Sequence, residues 1–140
     1  MSRVQMLVVA QCVARGCLSG VARLLQASRE MVVGQRVAGG LLFDGEVLLQ
    51  LMEGSPDVVQ RLAEQWLAQP LFTQAGVLAV CEPGVSSLAS TAASTATSPS
   101  ATGWQAGFVE PGALDEVVLA PSPHTMVSEF LRVLLLADVQ

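Results

Sequence analysis

Side chains that could do chemistry are few in this sequence of 140 residues. The single histidine, His124, excludes a metal site built from several histidines. All seven basic residues are arginine, and tyrosine is absent. The lack of lysine excludes Schiff-base chemistry and the lysine of a phosphate-binding Walker loop. Because no nucleophile, base and acid stand in a recognisable set, we expect no enzyme and no catalytic residue.

The three cysteines, Cys12, Cys17 and Cys81, are odd in number and have no CxxC spacing. A disulfide framework would use an even set, so we expect reduced thiols in the core of a cytoplasmic protein. The apolar run 4–10 is interrupted by polar residues and is expected to be a strand rather than a leader peptide. The apolar stretch 133–137 is too short to cross a bilayer, so no membrane partner is expected.

Composition indicates one folded domain. About half of the residues are hydrophobic (51%), which is too many for a disordered chain and enough for a single core. The net charge is −5, without a cluster of positive charge. Because nucleic acid binds to clustered positive charge, it is not an expected partner.

Hydrophobic periodicity predicts the strands that must position any site. The run 4–10 is apolar and β-branched, which is typical of a buried first strand. Two further apolar runs, 37–43 and 46–52, flank Asp44 and Gly45. An Asp-Gly pair between two such runs is a strong signal for a β-hairpin.

Two helices are predicted around this hairpin. The first begins near Ser19, has apolar residues at spacings of three and four, and ends by Gly34. The second begins at Ser55 and Pro56, which supply a capping hydroxyl and a residue that needs no N–H. Pro70 should end this helix, because proline cannot continue it. Its apolar stripe comprises Val58, Val59, Leu62, Ala63, Trp66 and Leu67.

The residue pattern in the second half of the chain predicts two strands, a loop and a final helix. The segments 75–81 and 103–109 are expected to be strands. Between them, 86–102 consists mainly of Ser, Thr and Ala, which favours a mobile loop. The last helix begins at Ser122 and the proline after it, and its second half is apolar on nearly all sides.

The element order is therefore β-α-β-β-α-β-β-α, which predicts an α+β fold. It is a ferredoxin-like sandwich with a C-terminal helix, in which the helices are expected on one face of a mixed sheet. Residues 1–110 would form the domain, with 86–102 as a loop insertion. Residues 111–140 would form a connection and a C-terminal helix that packs on that domain.

Four segments resemble those of BLUF domains, the blue-light sensors that use FAD. Ser28 and Arg29 stand where the family has Ser-Arg near the end of the first helix. The run 37–43 is similar to its Ile-Thr-Gly-Leu-Leu strand, and 49–54 to its Phe-Leu-Gln-Val-Leu-Glu-Gly strand. The segment 103–108 is similar to its Trp-x-Met segment. The similarity extends from the first predicted strand to the fifth.

The resemblance implies a site for FAD between the two helices and the sheet. In the family, a first-strand Tyr gives an electron and a proton to the excited flavin, and a third-strand Gln changes its hydrogen bonds in response. An Asn pair at the end of the first helix binds the ring edge, and a Met or Trp on the fifth strand relays the change. These flavin-site positions fall on Val8, Gln50, Met31, Val32, Trp104 and Ala106.

Only Gln50 and Trp104 keep the family's residue type. Val8 replaces the Tyr, while Met31 and Val32 replace the Asn pair, so none of these three positions offers a hydrogen-bonding side chain. Each flavin group left without a partner would cost about 1–3 kcal/mol. These residues therefore favour a closed, apolar contact between the first helix and the sheet.

Two interpretations of Gln50 remain open. It is either a retained flavin ligand or a polar residue of the sheet that finds other partners, since a buried amide needs them. Trp66 and Trp104 could donate an electron, but an indole only donates hydrogen bonds and cannot perform the family's relay.

The sequence predicts a bacterial, cytoplasmic regulatory module that has lost the normal flavin photocycle. FAD is the cofactor that the resemblance implies, and the sequence leaves open whether it is bound or lost. Because the last helix has more apolar surface than its own sheet needs, we expect a homo-oligomer or contact with an effector protein. The alternative is an FAD-binding blue-light photoreceptor domain with atypical flavin contacts. No metal is expected in either case.

Overall fold

The computed structural model describes residues 3–12, 23, 26, 29–30, 37–68, 72–82, 104–136 and 138–139. Most of the predicted first helix lies outside these residues, including Met31 and Val32, and so does the predicted loop 86–102. Four residues of that helix are described (23, 26, 29 and 30), and all four are helical and exposed.

Apart from those four helical residues, the described residues form one mixed sheet and three helices. The strands are β1 (Val4–Cys12), β2 (Ala38–Phe43), β3 (Val47–Gly54), β4 (Phe72–Cys81), β5 (Trp104–Phe108) and β6 (Asp138–Val139). The helices are α1 (Pro56–Leu67), α2 (Asp115–Val118) and α3 (Pro123–Leu136). The strand order is β4-β1-β3-β2-β5-β6, in which β5 runs parallel to β2. The predicted ferredoxin-like α+β fold with a C-terminal helix is confirmed.

The predicted hairpin joins β2 to β3 through Asp44 and Gly45. The Asp44 carboxylate accepts hydrogen bonds from the backbone N–H groups of Glu46 and Val47, at 2.9 and 2.8 Å. Gly45 has a φ of +105°, a conformation that side chains disfavour. This turn sets the register that places Gln50 in the centre of β3.

The two predicted helix starts differ in whether the serine side chain makes a capping hydrogen bond. Ser55 lies at the N-cap of α1, but its side chain makes no capping hydrogen bond, so that part of the prediction was wrong. The fixed φ of Pro56 and the charge of Asp57 near the helix N-terminus favour the start instead. At α3, the predicted start at Ser122 and Pro123 is confirmed, and the Ser122 hydroxyl accepts a hydrogen bond from the Thr125 N–H at 3.2 Å.

Helices cover both faces of the sheet, so the expectation of a single helical face was wrong. One face carries Val8 and Leu48 and packs against α1, and it is here called the Gln50 face. The opposite face, here called the α3 face, carries Leu49 and Leu51 and packs against α2 and α3. The physical reason is that β3 is apolar at both alternating sets of positions, so both of its sides must be buried.

Most of the apolar surface of α3 is used by its own sheet. Phe130 and Leu134 are fully buried on the α3 face. The surplus apolar surface is therefore smaller than predicted and lies in the last turn of the helix, at Leu135 and Leu136, which are exposed.

Two boundaries and two short elements were not predicted. β4 begins at Phe72, three residues before the predicted start, and α1 ends at Leu67, before the predicted stop. The short elements α2 and β6 have too few residues to show a periodicity in the sequence. Within the described ranges, no helix is long and apolar enough to cross a membrane.

Candidate functional site

Three of the predicted site positions lie in one row across the Gln50 face. Gln50 on β3 stands opposite Val8 on β1 and opposite Leu41 on β2. Leu41 in turn stands beside Ala106 on β5. Strand pairing therefore brings together residues that are up to 98 positions apart in the chain. The row is Val8, Gln50, Leu41 and Ala106.

This row is closed to solvent. Val8, Gln50 and Leu41 have no exposed surface, and Ala106 is 4% exposed. The neighbours of Gln50 in the row are hydrocarbons, so none of them can accept or donate a hydrogen bond.

The Gln50 amide has no hydrogen-bond partner within the described ranges, at either Oε1 or Nε2. Leaving a buried polar group without a partner costs about 1–3 kcal/mol. Such groups are rare in folded proteins and usually indicate a ligand, a water or a functional role. Gln50 is therefore the polar centre of the candidate site.

Helix α1 forms the other wall of the site. Its apolar stripe buries Val59, Leu62, Ala63 and Trp66, at helical spacings of three, four and seven. Trp66 has no exposed surface and packs on Phe72, with ring centroids 4.5 Å apart. Its indole Nε1 has no hydrogen-bond partner among the residues that the structure describes. Sequence analysis placed Trp66 on the stripe, but no sequence signal could show that its N–H lacks a partner.

The remaining predicted positions are only partly located. The backbone of Trp104 lies beside Gly39 on β2, two residues before Ala106. Met31 and Val32 lie outside the described residues. The structure therefore brings together positions 8, 50 and 106 and leaves the two helix positions undescribed.

A second polar cluster, which sequence analysis missed, lies on the α3 face. The Gln5 amide donates a hydrogen bond from Nε2 to Glu53 Oε1 at 2.8 Å, and both side chains are buried. Arg3 forms an ion pair with Glu53 at 3.4 Å. The Cys81 thiol donates a bond to Gln5 Oε1, with a distance of 3.7 Å between sulfur and oxygen. Register explains the contact, because Gln5 stands opposite both Glu53 and Cys81.

The thiol in this cluster stays protonated. Burial raises the pKa of Cys81 above its ordinary value, which disfavours the reactive thiolate. Cys81 is a free thiol, in agreement with the predicted reduced state, but it is half-buried rather than part of the core.

Metal chemistry finds no support at either cluster. Within the described ranges, no group of three or more His, Cys, Asp or Glu side chains could hold an ion.

Comparison with protein-family models gives one match. The family model described as sensors of blue-light using FAD (BLUF) matches residues 5–82. No curated protein matches the chain.

Solved structures of similar fold include BlsA in its photo-activated state, with a TM-score of 0.68 and 15% identity, covering 99% of this chain and 98% of that one. The dark-state structure of BlrB has a TM-score of 0.62 and 18% identity, covering 94% and 93%. A bacterial light-regulated adenylyl cyclase has a TM-score of 0.56 and 15% identity, covering 94% of this chain and 34% of that one. At these identities the similarity shows the fold.

Proposed function

This chain belongs to the BLUF family, the sensors of blue-light using FAD, and on that premise we propose that it is a regulatory module which acts through protein contacts and without the tyrosine-dependent photocycle. The proposal includes a non-enzymatic role, because no catalytic set is visible in the sequence. It also includes a cytoplasmic location, which the odd number of cysteines favours.

One observation supports the proposed loss of the photocycle. The position directly opposite Gln50 on β1, where the family resemblance expects a Tyr, is the fully buried Val8. A hydrocarbon has no O–H to donate and no accessible oxidation. No other residue can substitute as a phenol, since the sequence contains no tyrosine. No light-driven step through a Tyr and Gln pair is therefore available to this chain.

The described residues fit a flavin in one respect and not in another. Gln50 fits, because its buried amide offers one donor and one acceptor atom without partners. Val8 does not fit, because a hydrocarbon side chain offers no hydrogen bond to the polar edge of a bound ring. A flavin, when bound, supplies the absorption of blue light on which the family depends. Gln50 could hold and orient such a ring.

Spectroscopy tests this proposal. The purified protein is incubated with FAD, separated from free FAD, and its absorption spectrum is recorded before, during and after blue light. We expect no reversible shift of a flavin band. Val8→Tyr is the matched variant, since it restores the phenol beside Gln50. A reversible shift in the unmodified protein would contradict the proposal.

Protein contacts are proposed at exposed leucines. Leu136 is 77% exposed at the end of α3, and its neighbour Leu135 is 54% exposed. Leu119, after α2, is 80% exposed. Large apolar side chains with this exposure favour contact with a partner, either a second copy of the chain or an effector protein. The light-regulated adenylyl cyclase of similar fold favours an effector protein as the partner. This chain covers only a third of that protein, so the similar fold is joined there to a much longer chain.

Mass in solution tests the homo-oligomer. We expect an oligomer for the unmodified chain and a lower mass for the double variant Leu135→Asp, Leu136→Asp. Ser128→Asp is the control, because Ser128 is an exposed residue of the same helix outside the apolar turn. A monomer at all concentrations would exclude the second copy and leave the effector as the partner.

A second candidate function is an FAD-binding domain with atypical flavin contacts. The unpartnered Gln50 amide favours it, because a closed apolar contact would leave that amide unsatisfied. Protein that stays colourless after incubation with FAD and removal of the excess would contradict this candidate, while leaving the first proposal in place.

A further inference from the structure

Within the described ranges, three buried side-chain atoms lack a hydrogen-bond partner. They are Oε1 and Nε2 of Gln50 and Nε1 of Trp66. By contrast, the buried polar side chains of the α3 face, Gln5 and Glu53, are bonded to each other. Among the described residues, the unpartnered atoms therefore belong to the region between α1 and the sheet.

Gln50 and Trp66 line the two walls of that region. Gln50 lies on the sheet, and Trp66 lies on the stripe of α1 that packs on the Gln50 face. Trp66 belongs to the same buried cluster as Val8 and Leu48, which are neighbours of Gln50 on the sheet. The two side chains make no hydrogen bond to each other, although an indole N–H and an amide oxygen are compatible partners.

We propose that the Trp66 N–H is a second polar contact, beside the Gln50 amide, for a planar ligand of the flavin class held between α1 and the sheet. This inference rests on the second candidate function. It assigns a binding role to a residue that is not among the flavin-site positions that the family resemblance implies.

The chemistry of the three atoms defines the ligand. The indole N–H needs an acceptor, the amide nitrogen needs another acceptor, and the amide oxygen needs a donor. The described residues of the buried cluster between α1 and the sheet are otherwise apolar. A flat aromatic ring system with carbonyl oxygens and an N–H on its edge meets all of these requirements, as the isoalloxazine ring does.

Binding measurements test the role of Trp66. Riboflavin and FAD are titrated against the protein, and the quenching of flavin fluorescence gives the dissociation constants. Trp66→Phe keeps an aromatic ring and removes the N–H, and we expect it to weaken binding about threefold to tenfold, as for one lost hydrogen bond. Phe130→Leu is the control, because Phe130 is equally buried but lies on the α3 face. Its binding should be unchanged.

A direct observation of the N–H in the unmodified protein is a second readout, for which Trp66→Phe supplies only the assignment. In ¹H–¹⁵N spectra of the unmodified protein, the indole resonance that is missing in Trp66→Phe belongs to Trp66. We expect that resonance to shift when riboflavin is added and its exchange with solvent to become slower.

The outcomes separate the inference from the function on which it rests. Weaker binding by Trp66→Phe together with a shifted indole resonance supports it. Binding that is equal in the unmodified protein, Trp66→Phe and Phe130→Leu, with an unmoved resonance, overturns the role of Trp66 and leaves flavin binding in place. If the unmodified protein binds neither riboflavin nor FAD, both the inference and the second candidate function fall, and the first proposal stands.

Discussion

Strand β3 carries two buried polar side chains, three residues apart, that face opposite sides of the sheet. On the α3 face, Glu53 is bonded to Gln5 and paired with Arg3. On the Gln50 face, the amide of Gln50 has no partner within the described ranges. The same strand therefore contains one polar group whose hydrogen-bond partners lie within the described residues and one for which the described residues provide none.

This difference in hydrogen bonding indicates that the two faces of the sheet have different roles. The α3 face is a self-sufficient core, in which a buried carboxylate is compensated by an amide and an arginine. A buried amide without partners lowers stability and persists where something else compensates for it. The Gln50 face is therefore the side of the sheet where a ligand or a functional state is expected.

The largest effect should come from disrupting the hydrogen-bonded polar cluster on the α3 face, here called the satisfied cluster. It consists of Arg3, Gln5, Glu53 and Cys81. Glu53→Leu leaves the buried Gln5 amide without its acceptor and removes the partner of Arg3. We expect the free energy of unfolding to fall by about 3 kcal/mol, which urea denaturation measures. Glu64→Ala is the control, since Glu64 is an exposed acid on α1. An equal, small effect of both changes would mean that the cluster contributes little.

The corresponding change on the other face should have the opposite sign. Gln50→Leu replaces an unpartnered amide by a hydrocarbon of similar size among hydrocarbons. We expect the flavin-free protein to become more stable, by about 1–2 kcal/mol, in the same urea experiment. A loss of stability would show that the amide has a partner in the folded chain and that the two faces do not differ in this way.

The sequence predicted the elements well where the signal is local. The hairpin follows from Asp44 and Gly45, because the carboxylate and the positive φ are properties of the turn itself. The row of positions 8, 50 and 106 follows from matching motifs, and strand register then places them side by side. Their roles toward a flavin stay predictions, as does the division of the chain at residue 110.

Features that depend on tertiary neighbours could not be predicted in the same way. The Gln5 and Glu53 pair joins residues 48 positions apart, and nothing in either segment indicates the other. Only the folded structure shows that Gln50 and Trp66 have no hydrogen-bond partner among the described residues. The position of α3 on the second face could have been predicted, because Leu49 and Leu51 make β3 apolar on that side too.

The smallest expected effect concerns the thiol at the edge of the satisfied cluster. Burial raises the pKa of Cys81, so the folded chain keeps the thiol proton at pH values where the unfolded chain loses it. The stabilising contribution is complete below the ordinary thiol pKa and is lost as the pH rises through the raised pKa of the folded protein.

Cys81→Ala should therefore lose slightly less stability than the unmodified protein when urea denaturation is repeated at increasingly alkaline pH. A chain with Cys12→Ala and Cys17→Ala retains Cys81 as its only thiol and allows its titration with a disulfide reagent. We expect its reaction rate to rise at higher pH than that of a small free thiol. A rate that rises at the same pH would mean that Cys81 behaves as a solvent-exposed thiol, and that the satisfied cluster ends at Gln5.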